Sequence, residues 1–355
     1  MADPKQALVL GATGVTGRSI LRHLTGLPDW DVVAVSRRRP DLGPNLEGRF
    51  AHLALDLLDA DACRARLGEL RGLTHVFFAA YVEGPGWAEA VAPNVAMLRN
   101  VLDAVEPTVP GLRHVNLMHG TKWYGNHLGP FPTPAREDDP RHMPPNFYYD
   151  QQDLVAERQR GRAWTWSAAR PHGICGFALG SPMNLVTVIG VYAAICRELG
   201  VPFGHPGTAG NYRALYQVTD AEHLARAVLW MATEPRCANE AFNITNGDVF
   251  RWERVWPRLA DHFGLPVGPQ RQLPLARMMA DKAPVWERIV ARHGLRPYRY
   301  EEIVSWAFGD FVFTPAFDIV SSMTKARQHG FHEVVDSEAM FVRIFDRLRT
   351  ERVLP

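Results

Sequence analysis

Residues 7–17 read ALVLGATGVTG. Four apolar residues in an unbroken run are the pattern of a strand buried on both faces of a parallel sheet. Gly11, Gly14 and Gly17 follow, and 18-RSILRHLTG-26 then places apolar residues at helical spacing. Strand, glycine turn and helix in this order form a phosphate cradle. The glycines allow a tight turn and a close approach of backbone to a pyrophosphate. The helix start offers free N–H groups and a partial positive charge. Thr13, Val15 and Thr16 lie in the same turn and belong to the same candidate site.

Further strands are read at 31-DVVAV-35, 51-AHLAL-55, 75-HVFFAA-80, 114-HVNLM-118 and 164-WTWSAA-169. Helical patterns separate most of them, among them 60-ADACRARLGEL-70 and 88-AEAVAPNVAMLRNVLDAV-105. This alternation predicts an α/β fold with a Rossmann-type, doubly wound parallel sheet. After Pro171 the pattern changes. A long apolar helix is read over 183–199, a strand over 214-ALYQVT-219, a helix over 220–233, a strand over 240–245 and a helix over 251–263. The expected division is a dinucleotide-binding domain over 1–170, with strand contributions from about 214–245, and a smaller, mostly helical substrate lobe over 171–355.

The totals agree with a globular α/β protein: 355 residues, 46% hydrophobic, 22% charged, net charge +1. That charge gives no reason to expect nucleic acid or an acidic membrane surface. No apolar run approaches the roughly 20 residues a membrane span needs, and the run in MADPKQALVLGATG is too short for a secretory leader. Cys63, Cys175, Cys196 and Cys237 are scattered, which argues against a disulfide framework or a metal site and for buried thiols in the cytoplasm. Dimerisation is expected through long apolar helices such as 88–105.

The expected cofactor is NADPH. An NAD binder usually carries a carboxylate at the end of the second strand for the ribose 2′-hydroxyl. Here that strand runs into 36-SRRRP-40, where Ser36, Arg37 and Arg38 suit a 2′-phosphate. Asp56 and Leu57, after the third strand, are placed for the adenine edge. Ala79, Ala80 and Tyr81, after the fourth, should lie along the middle of the cofactor.

The segment 146-NFYYDQQDL-154 opens a helix with two tyrosines. A tyrosine beside a nicotinamide can act as proton donor or oxyanion partner when a nearby cation lowers its pKa. The helical position that shares its face, four residues on, is Gln152 rather than a lysine. Of the 39 basic residues only Lys5, Lys122, Lys282 and Lys325 are lysines. Lys122, just past the strand 114–118, is placed to reach the same point from another element.

The segments 120-GTKWYGNHLGPF-131 and 146-NFYYDQQDL-154 resemble the progesterone 5β-reductase and iridoid synthase-like enzymes, atypical extended short-chain dehydrogenases whose lysine has moved to such a segment. The resemblance continues through 170-RPHGICGF-177, 183-MNLV-186, 239-NEAFNITNGDVFRW-252 and 307-AFGD-310, over nearly the whole chain. It implies NADPH-dependent 1,4-reduction of small-molecule enones or enals, with Tyr148 and Lys122 as the catalytic pair. It also implies that Pro171 and Ile174 flank the nicotinamide, and that Phe131, Met183 and Phe308 line the substrate pocket. Trp123 and Thr121 depart from the usual His and Arg. Two other readings stay open: a sugar-nucleotide epimerase or dehydratase, against which Gln152 argues, and a redox-sensing regulator that binds NADP(H) without turnover.

Overall fold

The computed structural model describes residues 5–46, 48–181 and 183–355. The first four residues of the N-terminal stretch read above lie outside it. Seven parallel strands form one sheet: β1 (Lys5–Leu10), β2 (Trp30–Ser36), β3 (Ala51–Ala54), β4 (His75–Phe78), β5 (His114–Met118), β6 (Thr165–Arg170) and a late strand, Glu240–Asn243. Their order is β3-β2-β1-β4-β5-β6 followed by the late strand. The chain runs outward from β1 in one direction, then returns to its other side at β4. The crevice at this reversal, beyond the carboxyl ends of the strands, is where such sheets bind ligands.

Helix α1 (Val15–Thr25) covers one face, and α2 (Ala60–Leu67), α3 (Trp87–Val105) and α4 (Phe147–Gln159) cover the other. The apolar side of α3, including Leu98, Val101 and Leu102, is buried in the core beneath the sheet. A second core is built around α5 (Leu185–Leu199), where every residue from Leu185 to Cys196 is buried. A helix apolar all round belongs inside a core. Asn184 starts it by accepting the Thr187 amide at 3.3 Å. The short α6 (Ala209–Arg213) follows, and α7 (Ala221–Thr233) returns to pack beside α1. Helix α8 (Trp252–His262) packs with the C-terminal helix Ser337–Thr350.

The strand expected at 214–219 does not form. A two-stranded ladder pairs β7 (Ile174–Cys175) with β8 (Thr219–Asp220), and Tyr216 makes a single bridge to Phe250. Irregular bonds to distant segments, backbone and side chain, hold this stretch instead. The Leu215 amide donates to Asp318 at 2.8 Å, and the Gln217 amide group bonds the Asp248 carbonyl and the Ser321 N–H. The strand that does join the large sheet from this region is β9 (Glu240–Asn243), beside β6.

Candidate active site

A cavity of about 420 Å³ opens at the carboxyl ends of β1, β4 and β5. One end is the glycine turn. Gly11 has φ +76°, and a β-carbon there would lie 2.6 Å from the Ala79 carbonyl oxygen. A β-carbon at Gly17 would collide with the Gly11 carbonyl oxygen, so this glycine holds α1 close to the turn without itself lining the cavity. Gly14 is the N-cap of α1, without a side-chain cap or an acidic residue in the first turn. Gly11, Thr13, Gly14, Val15 and Thr16 line the cavity. Gly11→Ala is therefore expected to cost about 2 kcal/mol of stability, through an unfavourable φ and a backbone clash. Urea unfolding of the two proteins measures it.

The same wall continues through Ser36, Arg37, Arg38, Asp56 and Leu57, then Ala79, Ala80 and Tyr81. The Ser36 hydroxyl donates to the Arg38 carbonyl at 2.6 Å, fixing the turn after β2. Arg39 turns away, its guanidinium 4.9 Å above the Phe50 ring. Three consecutive arginines thus divide into two that face the cavity and one that packs.

At the other end the structure distinguishes the two tyrosines. Tyr149 is buried, donates to the Trp123 carbonyl at 2.6 Å and accepts the His142 amide at 2.8 Å. It is a structural residue. Tyr148 lines the cavity, and among the described residues its hydroxyl has no hydrogen-bond partner. Gly120 makes room for it: a β-carbon there would lie 3.5 Å from the Tyr148 hydroxyl and 3.3 Å from the Pro171 carbonyl. Its ring packs on His119 at 4.9 Å and Phe147 at 4.6 Å. Burial, followed by the neighbouring Tyr81, raises its pKa. This reverses the sequence expectation of a phenol lowered by a cation: the group stays protonated and is suited to donate a hydrogen bond.

Lys122 lies in a 3-10 turn over Thr121–Tyr124. Its ammonium sits 4.1 Å above the Trp87 ring and 5.3 Å from Phe311. Burial lowers its pKa to about 8, with Glu83 acting in the opposite direction. Among the described residues it has no carboxylate or hydrogen-bond partner on Nζ. Asn146 joins the two candidate groups. Its side chain caps α4 by accepting the Tyr148 amide at 3.1 Å and donates to the Lys122 carbonyl at 2.9 Å. Sequence reasoning missed this residue, although an Asn just before an aromatic helix start is an N-cap signal.

Gln152 has another use. Its amide oxygen accepts from Arg170 at 3.4 Å, and the buried Arg170 guanidinium lies 3.7 Å above the Trp123 ring. The place one helical turn after Tyr148 therefore supports the floor beneath the site.

Pro171, Ile174, Met183 and Phe308 line the cavity, as does Phe311, which the sequence reading did not select. Phe308 and Phe311 stack at 6.1 Å on the helix Trp306–Phe313. Phe131 is the exception. It is absent from the lining, stacks on Tyr124 at 6.5 Å and meets Phe317 edge-on. Its whole loop is drawn away. The Ala135 amide donates to Val320 at 2.9 Å, and the Glu137 carboxylate accepts the Asn243 amide at 2.8 Å. No residue of 129–146 lines the cavity. Proximity in sequence to Lys122 could not show that the loop leaves in the opposite direction.

Fold and site together define an α/β protein of the extended short-chain dehydrogenase/reductase type. Its architecture matches UDP-glucose 4-epimerase from Thermotoga maritima with a TM-score of 0.68 at 16% identity, over 97% of this chain and 99% of that one. The particular family is settled by sequence: residues 50–355 match the PRISE-like Rossmann-fold domain, and the chain belongs to that family. Relatives include the short chain dehydrogenase gsfE of Penicillium aethiopicum, 35% identical over 99% of this chain and 100% of that protein. The 3-oxo-Delta(4,5)-steroid 5-beta-reductase of Arabidopsis thaliana is 36% identical over 98% of this chain and 93% of its own length. An (S)-8-oxocitronellyl enol synthase of Nepeta cataria is 36% identical over the same shares. Among the described residues no helix is long and apolar enough to cross a membrane.

Proposed function

We propose that the protein is an NADPH-dependent reductase of carbon–carbon double bonds conjugated to a carbonyl. The observation that carries this reading is one cavity in which an unpartnered Tyr148 hydroxyl and an unpaired Lys122 share a lining with the glycine turn and two arginines. The relatives named for steroid 5β-reduction and 8-oxocitronellyl enol synthesis support the substrate class.

The residues fit a dinucleotide. The uncapped start of α1 and the glycine contour leave room and N–H donors for a pyrophosphate, and Arg37 and Arg38 suit a 2′-phosphate. Asp56 and Leu57 would meet the adenine end, Ala79, Ala80 and Tyr81 the middle, and Pro171 and Ile174 the nicotinamide. When bound, the cofactor supplies the hydride for the β-carbon. Tyr148 donates a hydrogen bond to the substrate carbonyl and stabilises the negative charge that develops there. A group of raised pKa does this without losing its proton, and the enolate takes the proton for its α-carbon from solvent. Lys122 adds positive potential in a water-poor site, where charge is weakly screened. Met183, Phe308 and Phe311 form the apolar wall against the carbon skeleton.

The test is NADPH oxidation with progesterone, a cyclic enone and a linear enal, wild type beside Lys122→Ala, with the saturated carbonyl product identified. Turnover is expected in wild type and a fall of about 10²-fold in the variant, the scale of a lost electrostatic contact at a developing charge. Tight NADPH binding without turnover on any substrate would overturn the reading in favour of a sensor. The pH profile separates the roles further. The ammonium is present below its pKa of about 8 and is lost as pH rises through it. Wild-type kcat should therefore decline above about pH 8, and Lys122→Ala should lack that limb.

A further inference from the structure

Beside Lys122 the cavity wall carries a polar group that the reaction just described does not use. Asn126 lines the cavity and is only 5% exposed. Its Oδ1 is buried without a partner, and among the described residues its Nδ2 has none either. Leaving an amide unsatisfied in a protein interior costs about 1–3 kcal/mol. Such a group persists at a site when a ligand supplies the missing bonds.

The backbone holds Asn126 in place. Gly125 precedes it in the left-handed region at φ +80°, and a β-carbon there would lie 2.5 Å from the His142 ring. The Gly125 amide closes the turn on the Lys122 carbonyl at 3.2 Å. Asn126 is thus fixed to the turn that carries the unpaired ammonium. The next residue, His127, packs at a tilt against Trp87, ring centroids 4.6 Å apart, the ring that also lies under Lys122. Tyr148 has different surroundings: Gly120, His119 and Phe147.

We propose that Asn126 is a specificity residue, and that the substrate carries a second oxygen function, a hydroxyl or carbonyl, besides the conjugated carbonyl held by Tyr148. The inference rests on the enone-reductase reading. A carboxamide both donates and accepts, which suits a neutral oxygen function. A hydrocarbon at this place would leave the amide unpaired, and a site built to bond a polar group discriminates against the analogue lacking it.

The experiment uses linear 2-enals of one chain length ending in a methyl, a hydroxymethyl or an aldehyde group, with NADPH, on wild type and Asn126→Leu. In wild type the oxygenated enals should exceed the methyl-ended one in kcat/KM by about tenfold or more. That ratio should collapse toward one in Asn126→Leu. The Tm of the variant should be equal or higher, because no bond within the protein is lost. A parallel measurement takes Kd values by calorimetry for the corresponding saturated aldehydes on the NADP-loaded protein. The same ratio is expected there, and it is readable even if no enal turns over, so failure of the enone reading remains distinguishable. Wild-type ratios near one in both measurements, or ratios unchanged in Asn126→Leu, would overturn the proposal.

Discussion

Tyr148→Phe should lower kcat for enone reduction by about 10²-fold, the effect of removing one preorganised donor to a developing oxyanion. KM should change little, because the donor matters more as charge builds on the oxygen than in the bound ground state. The fold should tolerate the change, since the hydroxyl has no partner among the described residues and the ring keeps its packing on His119 and Phe147. Tyr149→Phe is the internal control. It breaks the 2.6 Å bond to the Trp123 carbonyl and leaves the His142 amide without its acceptor. It should cost about 1–2 kcal/mol of stability and little of kcat. Steady-state kinetics and urea unfolding on the two variants decide between them. If Tyr149→Phe carried the larger kinetic loss, the assignment of Tyr148 would fail.

Replacing Arg37 and Arg38 together with Ala should raise the KM for NADPH by about 10²-fold, as two charge-assisted bonds to a phosphate are lost. The KM for NADH should move only a few-fold, so the preference between the cofactors narrows or inverts. Both arginines are exposed, so part of this effect is screened and should weaken as salt is raised. Arg39→Ala should change neither constant, because its guanidinium packs on Phe50. A double variant that kept its preference for NADPH would remove the basis for the 2′-phosphate assignment.

Much of this protein was legible along the chain. An unbroken apolar tetrapeptide, three glycines and a helical period specify β1, the turn and α1 through local sterics. The first six strands were read correctly because each is a short apolar run bounded by turn residues. Lys122 and Tyr148 stood out by composition and by motif.

Tertiary structure decided what depends on partners far away in sequence. Tyr148 and Tyr149 are chemically alike and adjacent. Only the backbone of residues 123 and 142 determines that the second is engaged and the first is free. The raised pKa of Tyr148 and the lowered pKa of Lys122 come mainly from burial, which no local pattern reveals. Gln152 found Arg170, 18 positions away, and the loop with Phe131 was drawn to Val320 and Asn243. Residues 214–219 have the composition of a strand, yet their backbone bonds went to Asp318 and Phe250. The sequence by itself determined the dinucleotide-type fold and the chemical groups at its crevice, because these follow from short-range geometry. Which of those groups remain unpaired and face the cavity was decided by the folded chain, because a hydrogen bond or a desolvated charge depends on neighbours that the sequence brings together only in three dimensions.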